Sequence, residues 1–146
     1  MKIQGQCHCG NISYTFHWPG DDQTIPVRAC SCGFCTIHGG VYTSHREAAL
    51  QAAIQNDELV NRYRFGTGTA DFYICARCGA VPFVTSEINS HLYAVVNVNT
   101  FQNIDRSIFQ QAIAHFDGET TESRLDRRER TWIPSVTIVM SNACRI

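Results

Sequence analysis

Cys7-His8-Cys9-Gly10, Cys30-Ser31-Cys32-Gly33-Phe34-Cys35 and Cys75-Ala76-Arg77-Cys78 hold seven of the eight cysteines in a chain of 146 residues. Disulfide frameworks generally join cysteines that lie far apart in sequence. Thiols separated by one or two residues instead converge their sulfurs on one ion. Ligation deprotonates them, and the binding energy becomes folding energy. The eighth, Cys144, stands alone near the C-terminus, and no role follows from its position.

Seven clustered thiols suggest a division into four and three. A structural zinc takes four protein ligands in a closed tetrahedron, whereas a catalytic zinc takes three and leaves a position for substrate or water. Cys30, Cys32 and Cys35 form a triplet that can supply three ligands from one loop. The flanking pairs, Cys7/Cys9 and Cys75/Cys78, would then make the four-sulfur site and enclose the triplet. Other pairings satisfy the same counts. All clusters could be structural, with Cys144 or a histidine completing the second. Iron–sulfur ligation and a disulfide framework are further alternatives, although the spacings match neither common ferredoxin pattern.

Outward from the cysteines, the chain reads as one mainly β domain spanning residues 1–146. Hydrophobic residues make up 44%, enough for a core. Residues 3–18 read as a hairpin, because Ile12, Tyr14, Phe16 and Trp18 alternate with polar neighbours. Gly10-Asn11 supplies the bend around the first cysteine pair. Further strands are expected at 26–29, 41–43, 59–65, 70–74, 80–85, 92–98 and 136–140. The strand–CxxC–strand unit around Cys75 and Cys78 is like a zinc ribbon. Gly66-Thr67-Gly68-Thr69 reads as a turn and lacks the pattern of a phosphate loop. Ser44 to Glu47 reads as a capping box that opens a helix to about Asn56. Residues 107–116 suit either helix or strand. The mixed charges of 119–130 read as a solvated loop, or alternatively as one that offers an arginine to an anionic substrate.

Twelve Lys and Arg against thirteen Asp and Glu give a net charge of -1, which argues against a non-specific nucleic-acid or membrane-surface binder. No run approaches the roughly 18 consecutive apolar residues of a spanning helix. The opening MKIQGQCHCG has no apolar signal region, so the expected location is cytoplasmic, with reduced thiols.

The order Gly5-x-Cys7-His8-Cys9-Gly10, Cys30-x-Cys32-x-x-Cys35 with Gly39, and Cys75-x-x-Cys78-Gly79 resembles the glutathione-dependent formaldehyde-activating enzyme family, which includes the centromere protein V group. The resemblance covers about residues 3–105 and leaves a C-terminal β extension. It implies an Mss4-like fold, in which antiparallel sheets with one or two short helices close around zinc. It also implies two zinc ions per chain. Cys7, Cys9, Cys75 and Cys78 match the structural ligands, and Cys30, Cys32 and Cys35 the catalytic ones. Thr36 stands where many relatives carry a basic or amide residue.

The activity so implied is that of a carbon–sulfur lyase acting on a thiol–aldehyde adduct, with glutathione and formaldehyde giving S-hydroxymethylglutathione. Zinc at the triplet would stabilise the thiolate or polarise the hydroxymethyl oxygen. Its partner would be a small thiol such as glutathione. A different thiol or aldehyde, or a non-catalytic zinc-stabilised interaction module, are the competing readings. His38 is the candidate acid–base group. His8, Tyr42 and Asn97 are weaker site candidates, more readily explained by structure, and Ser31 has no evident base partner.

Overall fold

Strands dominate because the apolar residues repeat every second position and face a shared core. The computed structural model describes residues 1–21, 23–116 and 118–140. Cys144 lies outside the described residues. In chain order the elements are β1 (Lys2–Gln6), β2 (Ile12–His17), β3 (Ile25–Cys30), α1 (Gly33–His38), β4 (Val41–Thr43), β5 (Ala49–Ile54) and β6 (Val60–Tyr63). They continue with β7 (Asp71–Cys75), β8 (Phe83–Ile88), β9 (His91–Asn97), β10 (Phe109–Ala114), α2 (Thr121–Thr131) and β11 (Ser135–Met140). No helix among the described residues is long and apolar enough to cross a membrane.

The strands form two sheets, ordered β1-β2-β5-β11 and β10-β3-β4-β9-β8-β7-β6. Most pairs are antiparallel, as the family resemblance implies, but β10 on β3 and β11 on β5 are parallel. Ile12, Tyr14 and Phe16 of β2 and Leu50, Ala52 and Ile54 of β5 turn inward together. They join Phe83, Val96 and Ile133 in the principal core. Neighbouring residues of the long sheet face the other way. Val84, Val95 and Phe72 pack with Cys35, Tyr42 and Trp132 in a second buried cluster. The long sheet is thus covered on both faces, and α1 and Trp132, just past α2, contribute to the second.

Two sequence expectations fail. Residues 44–56 do not form a helix, because 49–54 is a strand paired on both sides, to β2 and β11. Helix propensity in Ala-Leu-Gln-Ala-Ala-Ile yields to burial of alternate side chains, with Leu50 and Ile54 wholly inaccessible. The Ser44 hydroxyl, cast as a cap, donates instead to the Thr131 carbonyl at 2.9 Å. Residues 121–131 are not a loop but a helix, opened by Thr120, whose hydroxyl accepts from the Ser123 amide at 3.0 Å. Arg128 on that helix is buried. The ambiguous stretch 107–116 resolves into a short 3-10 turn and β10.

Candidate metal centres and the adjoining cavity

The first sulfur group rests on two loops of matching design. The Cys7 amide donates to the Ile12 carbonyl at 2.9 Å, and the Cys75 amide to the Ala80 carbonyl at 2.9 Å, each five residues on. Within each loop a glycine turns back onto the cysteine carbonyl: Gly10 to Cys7 at 3.1 Å and Gly79 to Cys75 at 2.8 Å. Gly10 at φ +85° and Gly79 at φ +80° occupy left-handed backbone where a side chain would be strained. The loops bring the Cys7, Cys9, Cys75 and Cys78 sulfurs within 4.8 Å of one another. Cys7 to Cys9 is 3.7 Å and Cys9 to Cys75 is 3.5 Å. Such separations are too long for disulfides and suit sulfurs about 3.8 Å apart around a tetrahedral zinc. Burial pushes the Cys7 thiol up. Burial works the same way on Cys78, but hydrogen bonds from the Ala80 and Cys9 amides prevail and hold it down.

The second group, Cys30, Cys32 and Cys35, also gathers its sulfurs within 4.8 Å. Cys30 ends β3, Cys32 is the N-cap of α1, and Cys35 lies in its first turn. The Cys32 sulfur accepts from the Cys35 amide at 3.3 Å, and the Cys30 sulfur from the Cys32 amide at 3.5 Å. Short loop geometry therefore aims three sulfurs at one point. Their protons are shared unequally. A hydrogen bond from Cys35 draws Cys30 toward the thiolate, and that same contact drives Cys35 up. Full ionisation of all three at such separations calls for a cation. Both groups could hold a metal ion, and their all-sulfur composition suits zinc. The described cysteines are free thiols rather than a disulfide framework.

The two groups differ in what surrounds them. Cys7 and Cys75 are wholly buried in the principal core. Cys30, Cys32 and Cys35 instead line a cavity of about 130 Å³. Its floor includes Tyr42, Phe72 and Val84, and one side is formed by Phe65, Gly66 and Thr67 of the β6–β7 turn. Arg28 on β3 and Arg124, Arg127, Arg128 and Trp132 from the α2 region complete the wall. Burial draws both Arg28 and Arg128 down to about 10, with the charge of Arg127 adding to each, so both remain cationic at neutral pH.

His38 ends α1 and is not among the cavity-lining residues, but it touches one that is. Its Nδ1 lies 2.7 Å from the Phe34 carbonyl and its Nε2 2.8 Å from the Tyr42 hydroxyl. A carbonyl only accepts, so Nδ1 carries a proton, and in the neutral ring Nε2 accepts from Tyr42. Burial raises the Tyr42 phenol, which keeps it protonated. His8 is exposed between two cysteines. Asn97 is a structural residue: its side-chain amide donates to the Val81 carbonyl at 3.0 Å. Ser31 has a neighbour that its sequence context did not disclose, His115, with Nδ1 2.9 Å from its hydroxyl.

Sequence reasoning missed Arg28, Trp132 and the individual arginines of α2. The available signal was the spacing of Arg124 and Arg128, which places them on one face of any helix that Thr120 opens.

The chain matches the family model described as glutathione-dependent formaldehyde-activating enzyme over residues 2–117. No curated protein matches it. Its fold is similar to a crystal structure of a protein from Rhodobacter sphaeroides, with a TM-score of 0.56 at 23% identity, covering 76% of this chain and 99% of that one. With most of its length matched, and with both cysteine sets of the sequence pattern gathered as described, the chain belongs to the glutathione-dependent formaldehyde-activating enzyme family.

Proposed function

We propose that the chain catalyses reversible addition of a small thiol to an aldehyde, forming S-hydroxymethylglutathione from glutathione and formaldehyde, and is a carbon–sulfur lyase in the reverse direction. Cys7, Cys9, Cys75 and Cys78 hold a structural zinc that joins the N-terminal hairpin to the β7–β8 unit. Cys30, Cys32 and Cys35 hold a catalytic zinc. The observation that carries this reading is the placement of a three-sulfur group on the wall of a cavity while the four-sulfur group sits against the core.

Zinc bound by three thiolates supplies affinity for a further soft ligand and a modest Lewis acid at the cavity wall. In the forward direction the thiolate sulfur attacks the aldehyde carbon. A carbon–sulfur bond forms, the carbonyl π pair moves to oxygen, and that oxygen takes up a proton. The reverse reaction removes the hydroxyl proton, breaks the carbon–sulfur bond and returns the electron pair to sulfur. Tyr42 brings a hydroxyl to the cavity and is hydrogen-bonded to His38. With His38 neutral, the Tyr42 proton points to Nε2 and its oxygen can accept from substrate. With His38 protonated, Nε2 donates to Tyr42, whose own proton is then free to be donated into the cavity. His38 thereby serves as the acid–base group through Tyr42. Phe72 and Val84 keep the reacting end away from bulk water.

The test follows equilibration of formaldehyde with glutathione using zinc-loaded protein beside Cys32→Ser. Acceleration by the wild type, lost in the variant while its circular dichroism is retained, is the expected result. No acceleration over the uncatalysed rate, with both zinc ions present, removes this activity.

A further inference from the structure

The cavity that the cysteines line carries more positive charge than the fold uses. Four arginines line it, and among the described residues no aspartate or glutamate does. Arg127 is accounted for: it pairs with both Glu119 oxygens at 2.9 and 3.1 Å and lies over the Phe116 ring at 3.7 Å. Arg128 is not. It is 6% exposed, and its Nη1 donates only to neutral oxygens: the Thr69 carbonyl and hydroxyl and the Ser86 hydroxyl, at 2.9 to 3.3 Å. Among the described residues no carboxylate lies within ion-pair distance of it. Arg124 shares Glu119 at the longer distance of 3.7 Å and otherwise donates to the Phe116 carbonyl.

Two buried N–H groups among the described residues have no acceptor at all, Arg128 Nε and Trp132 Nε1, and a third, Arg124 Nε, has only the Glu119 carboxylate at 3.7 Å, beyond hydrogen-bond distance. All three belong to residues that line this cavity. A buried cation with no carboxylate in contact among the described residues, and orphaned donors beside it, are both costly. Their convergence on one cavity has a common explanation in an anionic ligand. Zinc with three thiolates would be net negative and would repel that ligand, so the arginines also provide the attraction that the metal side lacks. The helix that carries Arg124 and Arg128 begins at Thr121, beyond the residues that match the family model.

We propose that this wall is a carboxylate subsite: Arg124 and Arg128, with Trp132 Nε1, receive a carboxylate of the thiol substrate and select acidic thiols over neutral ones of the same size. The inference rests on the thiol–aldehyde reading above and adds which residues, beyond the stretch that matches the family model, would receive the substrate's carboxylate.

Calorimetric titration of the zinc-loaded protein with 3-mercaptopropionate and with its methyl ester tests it. The wild type should bind the acid at least about tenfold more tightly, the scale of one or two charge-assisted hydrogen bonds. Arg124→Gln should bring the two affinities together by weakening the acid alone, and Arg124→Lys should restore part of the difference. Arg124 is the better probe because the more deeply buried Arg128 also supports the fold. Equal binding of acid and ester by the wild type, or equal weakening of both by Arg124→Gln, overturns the proposal. The titration needs no turnover, so the two readings fail separately. A protein that prefers the acid but does not accelerate the reaction loses the proposed activity and keeps the subsite. One that accelerates with acid and ester alike keeps the activity and loses the subsite.

Discussion

Two sulfur groups built from the same residue type occupy opposite kinds of environment in this molecule. Around Cys7 and Cys75 the neighbours are the apolar side chains of the principal core, and the two loops that hold them are closed by their own backbone. Around Cys30, Cys32 and Cys35 the neighbours are a cavity, a tyrosine and four arginines. The chemistry available to a thiolate-bound metal is therefore decided less by the sulfur count than by what stands next to it. A group with all four positions taken by sulfur, two of them wholly buried, holds the chain together, whereas a three-sulfur group with a cavity beside it can receive a ligand.

The comparison breaks most visibly if the first group proves dispensable. Cys75→Ser removes a ligand of the proposed structural zinc, and sites of that kind bind zinc with about 10–16 kcal/mol, which matches or exceeds the stability of an ordinary domain. The protein should lose its cooperative thermal transition, read by circular dichroism. Retention of that transition would mean that the core alone carries the fold.

Cys32→Ser should behave differently. Serine is itself a favourable N-cap, so α1 keeps its first turn. The melting temperature should move by no more than about 4 °C. Zinc content should fall by one equivalent and catalysis should drop to background. Global unfolding of this variant would erase the distinction between the two groups.

Tyr42→Phe sharpens the comparison within the cavity. It removes the hydroxyl that joins His38 to the cysteine site, and kcat should fall by about a hundredfold with zinc content unchanged. His38→Gln should reduce kcat less and alter its pH profile, since Tyr42 keeps its place. Unchanged kcat in both variants would remove the proton relay. The smallest effect belongs far from either group. Gln51 is exposed in the middle of β5 between Thr15 and Thr137. Gln51→Val should stabilise the strand by a few tenths of a kcal/mol in a thermal melt, without changing zinc content or activity.

The sequence was most informative where covalent spacing confines geometry. Cysteines one or two residues apart must bring their sulfurs near each other, and the glycines after Cys9 and Cys78 mark where the chain turns. The pairing of residues 7–9 with 75–78 was less directly visible, because it depends on how two distant loops meet. A period-two pattern located β2 for the same local reason, an apolar run located β9, and the expected strand at 80–85 overlaps only the first half of β8. Residues 49–54 misled because alanine and leucine favour a helix in isolation, and only the flanking strands β2 and β11 make an extended chain the better solution. Arg128 was hidden among charged neighbours, since nothing in a run of charges tells which one the fold buries.

The most direct measurement substitutes cobalt for zinc and follows the visible absorption bands while a thiol is added. We predict two cobalt ions per chain, with only one spectrum shifting on thiol binding, and no shift in Cys32→Ser. A wild-type spectrum that thiol leaves unchanged, or a shift that survives in Cys32→Ser, would contradict the assignment of the open position to the three-sulfur group.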